Sequence, residues 1–242
     1  MARVIVLVHA PVLGPGSWAG VAHELSRAGN RVVVPSLAGF ADGGPPFTPR
    51  LVSRVAGQVR CGDGDDVVLV VHSGAGVFVP HLLLALGGGD ATAVFVDAAL
   101  PRQADPGTVV DAGFLPYLRE LAIDGVVPPW PRWWPGEDLA PLFPDEAARQ
   151  AVTSQAQPLP FAFFEELVPV LPDGWPPCRA AYLAFSEPYR HQAGEAAQAG
   201  WPVRELPGEH LHMLVDPGAV AAAIMDLAGQ ARSAGSSLRS LP

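Results

Sequence analysis

Val67-Val68-Leu69-Val70-Val71-His72-Ser73-Gly74-Ala75-Gly76 is the stretch from which the rest of this chain can be read. Five aliphatic residues without polar alternation suit a strand buried on both faces, as a parallel sheet requires. The serine that follows is set among small residues, and residues 75–86 then show helical apolar spacing. Small neighbours are what a tight strand-to-helix turn needs, because a larger side chain would strike the following helix. The segment predicts a strand, a sharp turn presenting a hydroxyl, and a helix. An ordinary strand-to-helix loop is the other reading of the same residues.

Outward from this stretch the same rhythm repeats. Apolar runs at residues 4–8, 31–34, 93–96, 180–185 and 202–206 read as further strands, and residues 18–28, 49–59, 191–199 and 217–228 as helices. Gly29, Gly87 and Gly200 stand where helix C-caps belong. Alternation of this kind predicts a doubly wound α/β architecture, a mostly parallel central sheet with helices on both faces and ligands beyond the strand C-termini. Residues 102–177 break the rhythm, being rich in proline and carrying Trp130, Trp133, Trp134, Phe143, Phe161, Phe163, Phe164 and Trp175. With helices expected at 110–123, 145–155 and 161–168, this segment reads as a helical cap inserted before the penultimate strand of a single domain spanning 1–242. Most of its aromatics are expected to act as packing glue. Residues 231–242, with four serines and a glycine, read as a frayed tail.

Composition narrows the function classes. The 242 residues are 49% hydrophobic and 16% charged, enough for one large core. A formal net charge of -9 with scattered arginines excludes a nucleic-acid face, which needs clustered basic residues. Cys61 and Cys178 have no His or Cys neighbours at metal spacing, so neither a disulfide framework nor a metal site is expected, and a cytoplasmic setting fits. The apolar run at 4–8 is too short for a signal peptide, and no uninterrupted apolar stretch of about 18 residues predicts a membrane span.

The serine turn resembles the Gly-His-Ser-x-Gly-Gly elbow of the α/β-hydrolases, with Gly74, Ala75 and Gly76 in the small positions and Val71 where glycine is usual. The resemblance covers nearly the whole chain outside the cap and implies the α/β-hydrolase fold, with Ser73 as nucleophile. It extends to Pro207-Gly208-Glu209-His210, followed by a Pro217-started helix, where the family carries its catalytic histidine. A base is needed because serine at its free pKa is a poor nucleophile. His210 takes that role, with His212 its competitor, read as pocket wall or core. His9, with Gly14, Gly16 and Trp18, matches the loop that supplies one oxyanion N–H in the family, the other coming from Gly74. Here Ala10 replaces a glycine and Pro11, without an N–H, stands at the donor position, leaving Val12 as the donor or the hole one donor short.

Two residues compete for the acid that orients the histidine. Asp97 closes the strand at 93–96, a position used by some members of the superfamily, and is the first choice; a plain turn-forming role is the other reading of it. Glu187 is the alternative acid, two residues before Tyr189, which stands where the usual aspartate aligns. His9, His72, Trp133 and Trp134 are expected to border the substrate. The resemblance implies hydrolysis of an ester, thioester or lactone of a hydrophobic small molecule, without a cofactor. A lyase or cyclase on the same fold, or a ligand-binding module without turnover, are the alternatives.

Overall fold

The computed structural model describes residues 3–62, 64–87, 91–171 and 179–238. The chain opens with β1 (Arg3–Val8), α1 (Ala19–Arg27), β2 (Arg31–Val33), α2 (Thr48–Ala56), β3 (Asp66–Ser73), α3 (Val79–Ala85) and β4 (Thr92–Ala98). It then leaves the sheet for α4 (Leu115–Leu121), β5 (Val126–Val127), α5 (Gly136–Leu139), α6 (Glu146–Thr153), β6 (Leu159–Pro160) and α7 (Phe161–Glu165). It returns as β7 (Arg179–Ala184), α8 (Arg190–Gln198), β8 (Val203–Glu205), α9 (His212–Val215) and α10 (Pro217–Leu238).

Six strands form one sheet in the order β2-β1-β3-β4-β7-β8, and every neighbouring pair is parallel. All seven residues of β4 are buried, which is why the central strands read as unbroken apolar runs. Helices cover both faces as expected: α1 packs on α10, which lies across β4 and β7, while α2 packs on α3. Gly29, Gly87 and Gly200 have φ of +83°, +68° and +77°, the left-handed conformation that ends a helix without a Cβ penalty.

Because β2 and β3 lie on opposite sides of β1, the strand order reverses there, and the turns leaving β1 and β3 open a crevice between them. The described part of the segment between β4 and β7 forms the small antiparallel pair β5–β6 and isolated bridges within itself, and none of its described residues joins the main sheet.

Three local expectations change. Residues 231–238 continue α10 rather than fray, since Ala231 is buried against the core and no proline interrupts them, while residues 239–242 of the expected tail lie outside the described residues. The helix expected over 161–168 stops at Glu165, because Glu166 turns extended and its carboxylate accepts the Phe47 and Thr48 N–H groups at 2.6 and 2.7 Å at the start of α2. The helix expected over 110–123 begins with a short 3-10 turn at Ala112–Phe114 capped by the Asp111 side chain. Trp175 and Cys178 lie outside the described residues.

Candidate active site

β3 ends in Ser73, whose backbone takes φ 57° and ψ -135°, a conformation that L-residues rarely adopt. Surrounding packing holds it there. A 3-10 turn over Gly74–Phe78 reverses the chain, and a Cβ on Gly76 would lie 1.9 Å from the Ala99 carbonyl oxygen, so only glycine permits this approach of the turn to the end of β4. Val71, in place of the usual glycine, is fully buried in β3 and paired with Val8 and Phe95. The pairing of β3 with β4 shifts register between His72 and Ser73, so that Ser73 pairs with Ala98 and its carbonyl accepts the Ala99 N–H at 3.1 Å.

Asp97, near the end of β4, is also strained, with φ 43°. Its backbone is pinned from the neighbouring strand: the buried Tyr182 hydroxyl donates to the Ala98 carbonyl at 2.8 Å and accepts the Ala98 N–H at 3.0 Å. The fully buried carboxylate accepts the Phe185 and Ser186 N–H groups at 2.8 and 3.0 Å and the Ser186 hydroxyl. Burial alone would raise its pKa. The His210 hydrogen bond and charge, with the Ser186 hydrogen bonds, overcome burial and hold the carboxyl below its ordinary range.

The turn after β8 brings His210 between the two. Its Nδ1 lies 2.7 Å from Asp97 Oδ2 and its Nε2 3.1 Å from Ser73 Oγ. His72 steadies this turn from below, donating from Nε2 to the His210 carbonyl at 3.0 Å. Burial first, then the neighbouring His210 ring, hold His72 well below the usual imidazole range and therefore neutral at pH 7.

The structure brings Ser73, His210 and Asp97 together and leaves Glu187 out. Glu187 is exposed and pairs with Arg190 at 3.0 Å, because the turn after β7 points it to solvent. Gly74, Val12, Trp133 and Trp134 line a cavity of about 670 Å³ above Ser73, together with Phe114, Trp130, Leu139 and Phe164. His9 and His72, expected at the substrate, are not among its lining residues. His9 is buried beneath the first loop, donating from Nδ1 to the Ala10 carbonyl at 2.8 Å and accepting the Leu37 N–H at 3.3 Å. Burial lowers its pKa to about 4, so it acts as a neutral tie between loops. His212 rests its ring against Phe185 at 5.4 Å and against Gly208.

Tyr189, Ser186 and Tyr182 were not singled out from the residues as site components. Tyr189 stacks on the His210 ring at 4.8 Å with 2° between planes, and its hydroxyl lies 3.1 Å from Ser73 Oγ. The available signal was positional, since Tyr189 aligns with the family's usual acid. Among the described residues, no cluster of three or more His, Cys, Asp or Glu side chains is arranged to hold a metal.

Residues 5–223 match the model of the alpha/beta hydrolase family. A carbendazim hydrolyzing esterase of Nocardioides sp. (strain SG-4G) is 26% identical over 89% of this chain and 96% of its own. The pyrethroid hydrolase PytH superposes with a TM-score of 0.72 at 19% identity, covering 95% of this chain and 98% of that one. Tomato methylketone synthase I gives 0.69 at 17% identity, covering 96% and 99%. A sheet whose order reverses beside β1, a strained serine ending β3 and a family match across nine-tenths of the residues have one common explanation: the chain belongs to the alpha/beta hydrolase family.

Proposed function

We propose that this protein is a carboxylic ester hydrolase that transfers the acyl group of an apolar, aromatic-bearing small molecule to Ser73. The observation that carries the reading is the run of two hydrogen bonds, 3.1 Å from Ser73 Oγ to His210 Nε2 and 2.7 Å from His210 Nδ1 to Asp97, on the floor of an aromatic-lined cavity. The esterase name of the Nocardioides relative supports it.

In this reading His210 Nε2 takes the Ser73 proton as Oγ attacks the carbonyl carbon, and the ionised Asp97 stabilises the imidazolium and fixes its tautomer. The carbonyl pair moves onto oxygen and meets the Gly74 N–H. Collapse expels the leaving alcohol with the proton from His210, and water repeats the sequence to release the acid. The cap aromatics supply the apolar contact that holds the substrate over Ser73 and exclude water from the reacting atoms.

Ser73→Ala and His210→Ala should each lower the kcat for p-nitrophenyl acetate by about 10⁴-fold or more. A fluorophosphonate should label the unaltered chain at Ser73 and leave Ser73→Ala unlabelled in intact mass measurement. Turnover surviving in Ser73→Ala sinks the acyl-transfer reading.

A further inference from the structure

An acyl transfer leaves negative charge on the former carbonyl oxygen, and the position that usually supplies one N–H for it is here a proline. The loop after β1 borders the cavity with Ala10, Pro11 and Val12. Pro11 carries no N–H. Its Cδ occupies the place of the amide hydrogen and lies 4.0 Å from where a Cβ on Gly74 would stand, so a ring carbon faces the Gly74 side of the crevice.

Tyr189 borders the same cavity and brings a second donor to Ser73. It is partly buried, lines the cavity, and holds its hydroxyl 3.1 Å from Ser73 Oγ. With the serine hydrogen directed to His210 Nε2, the Tyr189 O–H is the donor in this contact. Burial, with the nearby Asp97 charge, pushes the phenol up to about 12 against the opposing Ser73 hydrogen bond. It therefore keeps its proton at neutral pH.

We propose that the Tyr189 hydroxyl is a catalytic oxyanion donor that replaces the amide missing at Pro11, acting with the Gly74 N–H. This rests on the acyl-transfer reading of Ser73. In the resting site the phenol donates to Oγ. When Oγ forms its bond to the acyl carbon and its proton passes to His210, the carbonyl π pair becomes a lone pair on the adjoining oxygen, and the Tyr189 donor swings to it. When the leaving-group bond breaks, that pair re-forms the carbonyl, the leaving oxygen takes the proton from His210, and the phenol returns to its first partner. The phenol lends a hydrogen bond and keeps its proton throughout. Stacking on His210 fixes the ring, so that only the O–H bond has to turn when the charge appears.

The test is a double-mutant cycle on p-nitrophenyl acetate, with melting temperature as a control for folding. Tyr189→Phe keeps the ring over His210 and removes only the donor. It should lower kcat by roughly 10²- to 10³-fold, the scale for loss of one oxyanion donor, with little change in KM. Pro11→Ala restores an amide at the vacant position, and in the Tyr189→Phe background it should recover about tenfold or more of the lost kcat. In the chain that retains Tyr189, the same substitution should change kcat far less. Unchanged kcat in Tyr189→Phe, with Ser73→Ala inactive, overturns the proposal and leaves the acyl-transfer reading standing. An equal Pro11→Ala effect in both backgrounds also overturns it, since the phenol would then act elsewhere. Turnover in Ser73→Ala removes both readings together.

Discussion

Ser73, Asp97 and His210 sit where β3, β4 and β8 run out and are joined by hydrogen bonds of 2.7 and 3.1 Å. Trp133, Trp134, Phe114 and Phe164, in the segment between β4 and β7, meet instead through ring faces and edges, with centroids 5.7 to 6.1 Å apart. The first group depends on direction: two of its backbones are strained, and each carboxylate or ring nitrogen has an assigned partner. The second depends on area, and ring contacts tolerate shifts that a hydrogen bond does not. In the proposed acyl transfer the sheet therefore holds the reacting atoms, and the inserted segment supplies shape and apolar contact. Substitutions in the first region should act on kcat, and those in the second on KM or on stability.

The largest effect that would break this division is expected at the acid. Asp97→Asn should lower kcat by about 10⁴-fold while the protein stays folded, because an amide favours the wrong imidazole tautomer. Glu187→Gln should leave kcat unchanged, since the Glu187 carboxylate is exposed and bound to Arg190. The reverse ranking in steady-state kinetics would place the acid on the turn after β7.

Within the insert, Trp133 and Trp134 should separate. Trp133 is 6% exposed and donates from Nε1 to the Pro128 carbonyl at 2.7 Å. Its truncation to alanine should cost about 3–5 kcal/mol of stability in urea denaturation. A loss below about 1 kcal/mol would show that this side chain does not hold the segment.

His9 carries a comparable but pH-dependent effect. With its folded pKa lowered to about 4 from 6.5, the unfolded chain binds a proton through that window and the folded chain does not. Stability should therefore fall as pH drops from 6.5 to 4, by about 3 kcal/mol from this group alone. Asp97 acts below that range, its lowered pKa giving a contribution kept above pH 3.8 and lost as pH falls further. Denaturation at several pH values should show a shallower slope for His9→Asn than for the unaltered chain.

The smallest effect is expected at Trp134. It is 37% exposed and stacks on Phe114 and Tyr117 at 5.8 and 5.7 Å. Trp134→Ala should raise KM several-fold for aromatic esters, about 1 kcal/mol of lost ring contact, and less for acetate, with kcat preserved. A fall in kcat equal for both substrates would join this ring to the reacting group and erase the distinction between the two regions.

Six strands, the flanking helices and the serine turn were legible because each is written in a short window: an unbroken apolar run, a 3.6-residue spacing, or glycine where a Cβ would collide. The insert was legible only as an interruption. Its β5–β6 pair and α5 are too short to carry a period, and Glu166 ends α7 for the sake of a helix that begins 118 residues earlier in the chain. The site divides along the same line. Ser73 and His210 belong to local motifs, whereas the choice of Asp97 over Glu187 turned on which of two strand ends faces the histidine, and the burial of His9 and His72 turned on loops packed from elsewhere. Tyr189 was visible in sequence only as a tyrosine where the family usually places an acid. By itself the sequence determined the strands, the helices and the sharp turn at Ser73, since backbone periodicity and steric fit act between near neighbours. The tertiary structure decided which carboxylate meets His210 and which tyrosine and aromatic rings surround that serine, because those contacts join residues far apart along the chain and exist only once the sheet has set its strand order.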